Sequence, residues 1–349
     1  MHRRPSFVRI VVVTLTLVGL AGALGATALA QQMPRALTLA TNPPGTVAYT
    51  LAVAFAKVVS DARVSQMSVQ PYAGTSTLLP ALNTGELDFV LINGLDIRLA
   101  YQGPQRLKVG GKNPFFHTPN ARLLMRGAPL IVGMVVRKDS PIKSVHDLKG
   151  RRAAGEFPAH LAVWYSMYAH LASAGLTWND VKVVAVPTVN EGLEAVVQGR
   201  ADASTYAINA AKVKEADAAV GIRHVGPDCS PEGEKRLRQA VPGYYTRVVK
   251  GGTATGIVED TCLTAYDFYL VTNKALADHV VATVLKTIWK DVEKLPAFHP
   301  MFKEWTRERA VSPDATIPYH PGAIAFYREQ GVWTAEMDQV QQRLLTLNP

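Results

Sequence analysis

Apolar and polar positions along this chain change period several times, and the changes mark its elements. Residues 36–41 read as a short buried strand, which Asn42-Pro43-Pro44-Gly45 breaks into a loop. Leu51, Ala54, Phe55, Val58 and Val59 then fall at i, i+3, i+4, i+7 and i+8, the apolar stripe of a helix packed on a sheet. A strand at 67–72, a turn at Ala73-Gly74-Thr75-Ser76, a helix through Leu82 and a strand at 87–92 complete a βαβαβ unit. After Ser140-Pro141 the theme repeats. Ser144-Val145-His146-Asp147 has the form of a capping box, a strand follows at 151–155, and a long helix runs over 159–174 to stop at Gly175. A strand at 181–186, a helix at 188–198 stopped by Gly199 and a strand at 201–206 close the second unit. A further strand is expected at 264–271, then an amphipathic helix carrying Val280, Val281, Val284, Leu285, Ile288 and Trp289, with more helices to the C-terminus.

The two units end alike: Asn83-Thr84-Gly85-Glu86-Leu87-Asp88 is matched by Val197-Gln198-Gly199-Arg200-Ala201-Asp202, helix, Gly, charged residue, then strand with Asp. Alternating strands and helices imply a mainly parallel sheet whose ligands sit beyond the carboxyl ends of the strands. The expected fold is α/β, in two similar lobes with a ligand cleft between them. Residues 31–140 with about 256–349 form the first lobe, and about 141–255 the second. The length supports this, because about 319 residues beyond the N-terminal segment exceed what one hydrophobic core usually serves.

That segment has the arrangement of an export signal. Arg3, Arg4 and Arg9 precede an apolar run over 10–30, with small residues at Ala28 and Ala30 where cleavage would fit. A retained membrane anchor is the alternative, since the run approaches the roughly 20 residues a spanning helix needs. Gly19, Gly22 and Gly25 favour removal, which places the mature chain in the periplasm. Cleavage removes three Arg and no acid, so the formal charge falls from +9 to +6. The basic residues are scattered, which suits an anionic solute or an ordinary solvated surface, and lacks the clustered stripe of a nucleic-acid binder. Cys229 and Cys262 are an even count for an oxidising compartment; spacing alone leaves open whether they pair.

Motifs for catalysis are missing: no Gly-x-Ser-x-Gly elbow, His-Glu-x-x-His helix, Cys-x-x-Cys pair or phosphate-binding Gly-rich turn, and no His, Asp or Glu cluster has metal spacing. Asp88 and Asp202, inside strand-like segments after a Gly stop, read as structural. The chain is therefore expected to bind and not to turn over, with no cofactor. The strand-to-helix loops carry the binding candidates. Thr46, Gly74, Thr75 and Ser76 can surround an anion with hydroxyls and backbone N–H groups, or the hydroxyls serve only as helix caps. Tyr49, one turn into the first helix, either closes over a solute or packs in the core, and Asn93 either binds solute or makes a turn. From the second unit His160, Asn190 and Tyr206 begin or end elements pointing to the same edge, His160 as a cation when protonated. Arg137 belongs beside the hinge and Trp164 in the core.

Several motifs in order resemble the TAXI branch of TRAP transporter solute receptors, proteins with the type II periplasmic binding protein fold. They are Ala40-Thr41-Asn42-Pro43-Pro44-Gly45-Thr46-Val47-Ala48-Tyr49, Tyr72-Ala73-Gly74-Thr75-Ser76-Thr77, Asn83-Thr84-Gly85-Glu86-Leu87-Asp88, Val135-Val136-Arg137-Lys138-Asp139-Ser140 with Asp147-Leu148-Lys149-Gly150, and Pro318-Tyr319-His320-Pro321-Gly322-Ala323. The resemblance implies a monomeric receptor that passes a small carboxylate or amino acid to the membrane subunits of a TRAP-type transporter. A receptor presenting its solute to a membrane kinase, or an enzyme on a related scaffold, are the alternatives. The chain departs at Gly155-Glu156-Phe157-Pro158-Ala159-His160, where relatives carry a Gly- and Ser-rich loop that meets the solute.

Overall fold

The computed structural model describes residues 32–348. The export signal expected over 1–30 lies outside them. A compact unit begins at Ala36. It opens with β1 (Ala36–Thr41), α1 (Val47–Asp61), β2 (Gln66–Pro71), α2 (Thr75–Thr84) and β3 (Phe89–Asn93), the alternation that the pattern predicts. Helix α3 (Gly94–Gln102) follows β3 with no intervening residue. The loop expected at Asn93-Gly94 is therefore a helix start, since the Asn93 side chain caps α3 by accepting from Leu95 N.

Next come β4 (Ala121–Arg137), β5 (Arg152–Glu156), α4 (Leu161–Ser173), β6 (Lys182–Val186), α5 (Val189–Val197), β7 (Ser204–Ala207), α6 (Ala211–Val220), β8 (Ile222–Val225), α7 (Pro231–Ala240), β9 (Tyr245–Val249) and β10 (Thr261–Asn273). Helices α8 (Asp278–Asp291), α9 (Arg307–Ala310), α10 (Pro321–Glu329) and α11 (Ala335–Thr346) complete the chain. The Ser144 capping box is present, on a single turn of 3-10 helix.

Two long antiparallel strands organise the sheet. At one end β10 pairs through 268–272 with β3, and β3, β1 and β2 run parallel beyond it. At the other, the 132–137 end of β4 pairs with β7 and β8, and β10 pairs through 261–265 with β9. The parallel pair β5 and β6 joins through a bridge from Ala153 to Ala203. The two units of the sequence thus flank one continuous ladder, because β4, at 17 residues and about 3.3 Å each, is long enough to serve both.

The repeated Gly-to-Asp motif has one structural job in both places. Gly85 and Gly199 turn the chain at φ 83° and 70°, a region that favours glycine. Asp88 then accepts from the Thr38 backbone N–H at 2.8 Å, and Asp202 from that of Arg152 at 2.8 Å, each 50 residues upstream. Both carboxylates tie the backbone of a neighbouring strand to the segment that follows the Gly turn, which is structural work.

Cys229 and Cys262 form a disulfide across 33 residues of sequence. A loop of that length is worth about 3–4 kcal/mol by chain entropy. Replacing both cysteines with serine is expected to lower the unfolding free energy by about that amount, read from urea denaturation; equal midpoints for the two proteins would show the bridge to be dispensable.

Candidate functional site

The loops after β1 and β2 meet those before α4 and α5. Thr46 caps α1, its Oγ1 accepting from Tyr49 N at 3.2 Å and donating to the Pro43 carbonyl at 2.7 Å. Gly74 occupies the N-cap of α2, so neither Thr75 nor Ser76 caps that helix and the capping alternative fails for both. Ser76 Oγ instead accepts from Leu161 N at 3.3 Å, reaching the second unit. Gly74 lies against Ala159 and His160 so closely that a Cβ would meet the Ala159 carbonyl oxygen at 2.3 Å. From the other side, Asn190 Nδ2 donates to the Pro44 carbonyl at 3.4 Å, and its Oδ1 accepts from the Tyr206 hydroxyl at 2.7 Å.

These contacts enclose a cavity of about 40 Å3. Asn42, Thr46, His160, Ser166, Thr205, Tyr206 and Tyr266 provide its polar wall. Of the residues that sequence singled out, Thr46, His160 and Tyr206 line it; Gly74, Ser76 and Asn190 are set near it by the contacts above, and Thr75 is buried beside Asp96. Asn93 is buried and donates to the Tyr244 hydroxyl at 2.9 Å. Tyr49 is partly exposed and does not line the cavity. Arg137 bonds the Val197 carbonyl at 3.1 Å, and Trp164 is buried and stacked on Trp178.

Burial changes the expected role of His160. It is 4% exposed, and desolvation pushes its pKa down to about 4. The imidazole is therefore neutral at physiological pH and cannot serve as the cation for a carboxylate; it offers one donor and one acceptor. The segment leading to it is strained, since Glu156 and Phe157 have φ of 68° and 47° where non-glycine residues are uncommon. Phe157 is held there by full burial and a bond from its N–H to the Val186 carbonyl at 3.0 Å.

Sequence reasoning missed Asp96, in the first turn of α3. Its carboxyl is fully buried, and the Thr75 hydroxyl is the one hydrogen-bonding group beside it among the described residues. Burial raises its pKa to about 7, partly offset by the neighbouring Thr75 hydroxyl. Burial raises the pKa of the Tyr165, Tyr244 and Tyr266 hydroxyls, on the second unit and the central strands, and the nearby Asp96 charge adds to that rise. Asn42 Oδ1 and His160 Nδ1 are buried without hydrogen-bond partners among the described residues. An acid in the first turn of a helix reads as an ordinary dipole partner, so only the tertiary structure shows Asp96 to be buried. Asn42, Ser166, Thr205 and Tyr266, which also line the cavity, carry no local signature. Among the described residues no group of His, Cys, Asp and Glu is placed to hold a metal.

Comparison with known proteins gives a consistent family and fold. The model of the NMT1-like family matches residues 39–331. A solved periplasmic transporter superposes with a TM-score of 0.55 at 11% identity, over 90% of this chain and 97% of its own. An R. palustris protein solved with adipate gives 0.53 at 13% identity, over 90% and 98%. The periplasmic aliphatic sulphonate binding protein SsuA from Escherichia coli gives 0.44 at 17%, over 90% and 86%. The fold is the mixed α/β fold, central sheet and flanking helices, of periplasmic binding proteins.

Proposed function

Because this chain belongs to the NMT1-like family and has a periplasmic binding protein fold, we propose that it is an extracytoplasmic solute receptor. It captures a small carboxylate or amino acid between two lobes and presents it to the membrane subunits of a TRAP-type transporter. The lobes are residues 31–140 with about 256–349, and about 141–255, hinged on β4 and β10. The observation that carries this reading is a cavity whose wall holds buried polar atoms without partners from both sides: Asn42 Oδ1 from the first lobe and His160 Nδ1 from the second. Unsatisfied groups at such depth cost stability unless something bonds them, and a solute spanning the cleft offers the missing partners.

The cavity's size supports closure as the working motion. At about 40 Å3 it admits water-sized groups only, so a carboxylate of several atoms enters when the lobes stand further apart. A solute touching both lobes makes more contacts in the closed form and shifts the population toward it. The disulfide suits the periplasm, and the TRAP partner follows from the motif resemblance around Thr46, Gly74 and Asp88. The receptor works as a monomer, exported by a leader cleaved near Ala30.

The test uses whichever carboxylate or amino acid most raises the melting temperature of refolded, ligand-free protein. Thr75→Ala with Tyr206→Phe is expected to weaken that solute about tenfold or more, losing two hydrogen-bonding groups at roughly 1 kcal/mol each, with the melting temperature nearly unchanged. Intact affinity with a large loss of stability would assign these residues to structure.

A further inference from the structure

A second cavity, of about 680 Å3, lies where α3, β10, the 313–316 loop, α11 and the chain after α7 come together. Sites for small organic molecules typically enclose about 300–1,000 Å3. Four arginines line it: Arg98, Arg126, Arg238 and Arg343. Arg126 grips Asp267 at 2.5 Å, and Arg238 holds Glu234 at 2.6 Å. Among the described residues Arg343 has only the Pro313 carbonyl, at 3.3 Å. Arg98 is half-buried and, among the described residues, has neither a hydrogen bond nor an ion pair.

The acids in the walls do not balance this charge. Asp267 is already shared between Arg126 and Arg309, the latter at 2.8 Å, and also accepts from the Tyr245 hydroxyl at 3.2 Å. Asp314 is 79% exposed and stands 3.8 Å from Arg126. Among the described residues Arg98 on α3 and Arg343 on α11 are thus left as two cations without carboxylate partners, on separate helices that line one cavity. A guanidinium presents five N–H donors in a fixed fork that matches carboxylate and phosphate oxygens in pairs.

We propose that this cavity is a second binding site, for an organic anion bearing two oxyanion groups, with Arg98 as the bidentate anchor of one and Arg343 meeting the other. Dicarboxylates and phosphate esters share that chemistry. The site is distinct from the small cavity of the cleft, with which it shares only Tyr266.

Calorimetric titration of the purified full-length protein with succinate and with inorganic pyrophosphate tests the assignment and separates the two sources. Each titration is repeated on Arg98→Ala, Arg98→Lys and Tyr206→Phe. The site predicts that one probe binds, that Arg98→Ala weakens it tenfold or more, and that Arg98→Lys restores little because lysine lacks the fork. Tyr206→Phe leaves that binding unchanged. Succinate alone identifies a dicarboxylate site, and pyrophosphate alone a phosphate site. The proposal is overturned if neither probe binds, if Arg98→Ala binds as the wild type does, or if Tyr206→Phe weakens binding as much as Arg98→Ala. The last outcome would move the probe to the cleft and leave the receptor reading intact.

Discussion

Asp96→Asn is expected to make the solute-free protein more stable at pH 8, by up to about 4 kcal/mol, with the advantage vanishing near pH 4. The folded-state pKa of about 7 lies above the unfolded value of 3.8, so between those limits the native state holds a proton that the unfolded state has lost. Stability therefore falls as pH rises through that window, by roughly 1.4 kcal/mol per pH unit, and is flat above it. An amide carries no charge at any pH and removes the slope. Urea denaturation of both proteins at pH 4, 6 and 8 measures it; parallel stabilities across the series would show that Asp96 is solvated or paired in solution. If the buried acid is kept for solute capture, the same variant loses solute affinity while gaining stability, the trade expected at a functional site.

Gly74→Ala is expected to hold the lobes apart. The backbone at Gly74 is extended, at φ 172°, so alanine fits it locally. The added methyl, however, meets the Ala159 carbonyl oxygen at 2.3 Å and His160 Cβ and Cα at 2.5 and 2.6 Å, atoms of the opposing loop that cannot swing aside. An overpacking cost of about 1–3 kcal/mol falls on the closed form alone and weakens solute binding by roughly 5- to 150-fold. The open form relieves the clash, so the melting temperature of the free protein moves little. Small-angle scattering should show a larger radius of gyration that solute no longer reduces. Unchanged affinity and scattering would mean that this contact persists in every state and plays no part in closure.

Where an element buries one face, the apolar period revealed it: Leu51, Phe55 and Val58 gave α1, and Val280, Val284 and Ile288 gave α8. The period fails for β4, the longest strand, because it is buried almost throughout and interrupted by Gly127, Pro129 and Gly133, so no alternation shows. Asn93-Gly94 has the composition of a strand-to-helix loop, yet Asn93 is the cap and the helix starts at Gly94 with no loop between. In the site, Thr46, His160, Asn190 and Tyr206 were legible because they begin or end elements at one sheet edge. Asp96, Thr205 and Tyr266 were not: what makes them matter is the approach of the second unit, which no window of sequence contains. The strained pair Glu156-Phe157 stands in the loop whose departure from the family pattern was visible from the start, but its left-handed conformation was not.

A thermal-shift screen of unfolded-and-refolded, ligand-free protein against small carboxylates, amino acids and sugars tests the receptor reading most directly. A solute at 100 times its dissociation constant adds about 2.7 kcal/mol, enough to raise the midpoint by several degrees. The account predicts such a rise with a carboxylate or amino acid, diminished by Gly74→Ala and by Thr75→Ala with Tyr206→Phe, and retained in Arg98→Ala. A folded, ligand-free protein that no member of those classes stabilises, or one stabilised equally in the cleft variants, would contradict it.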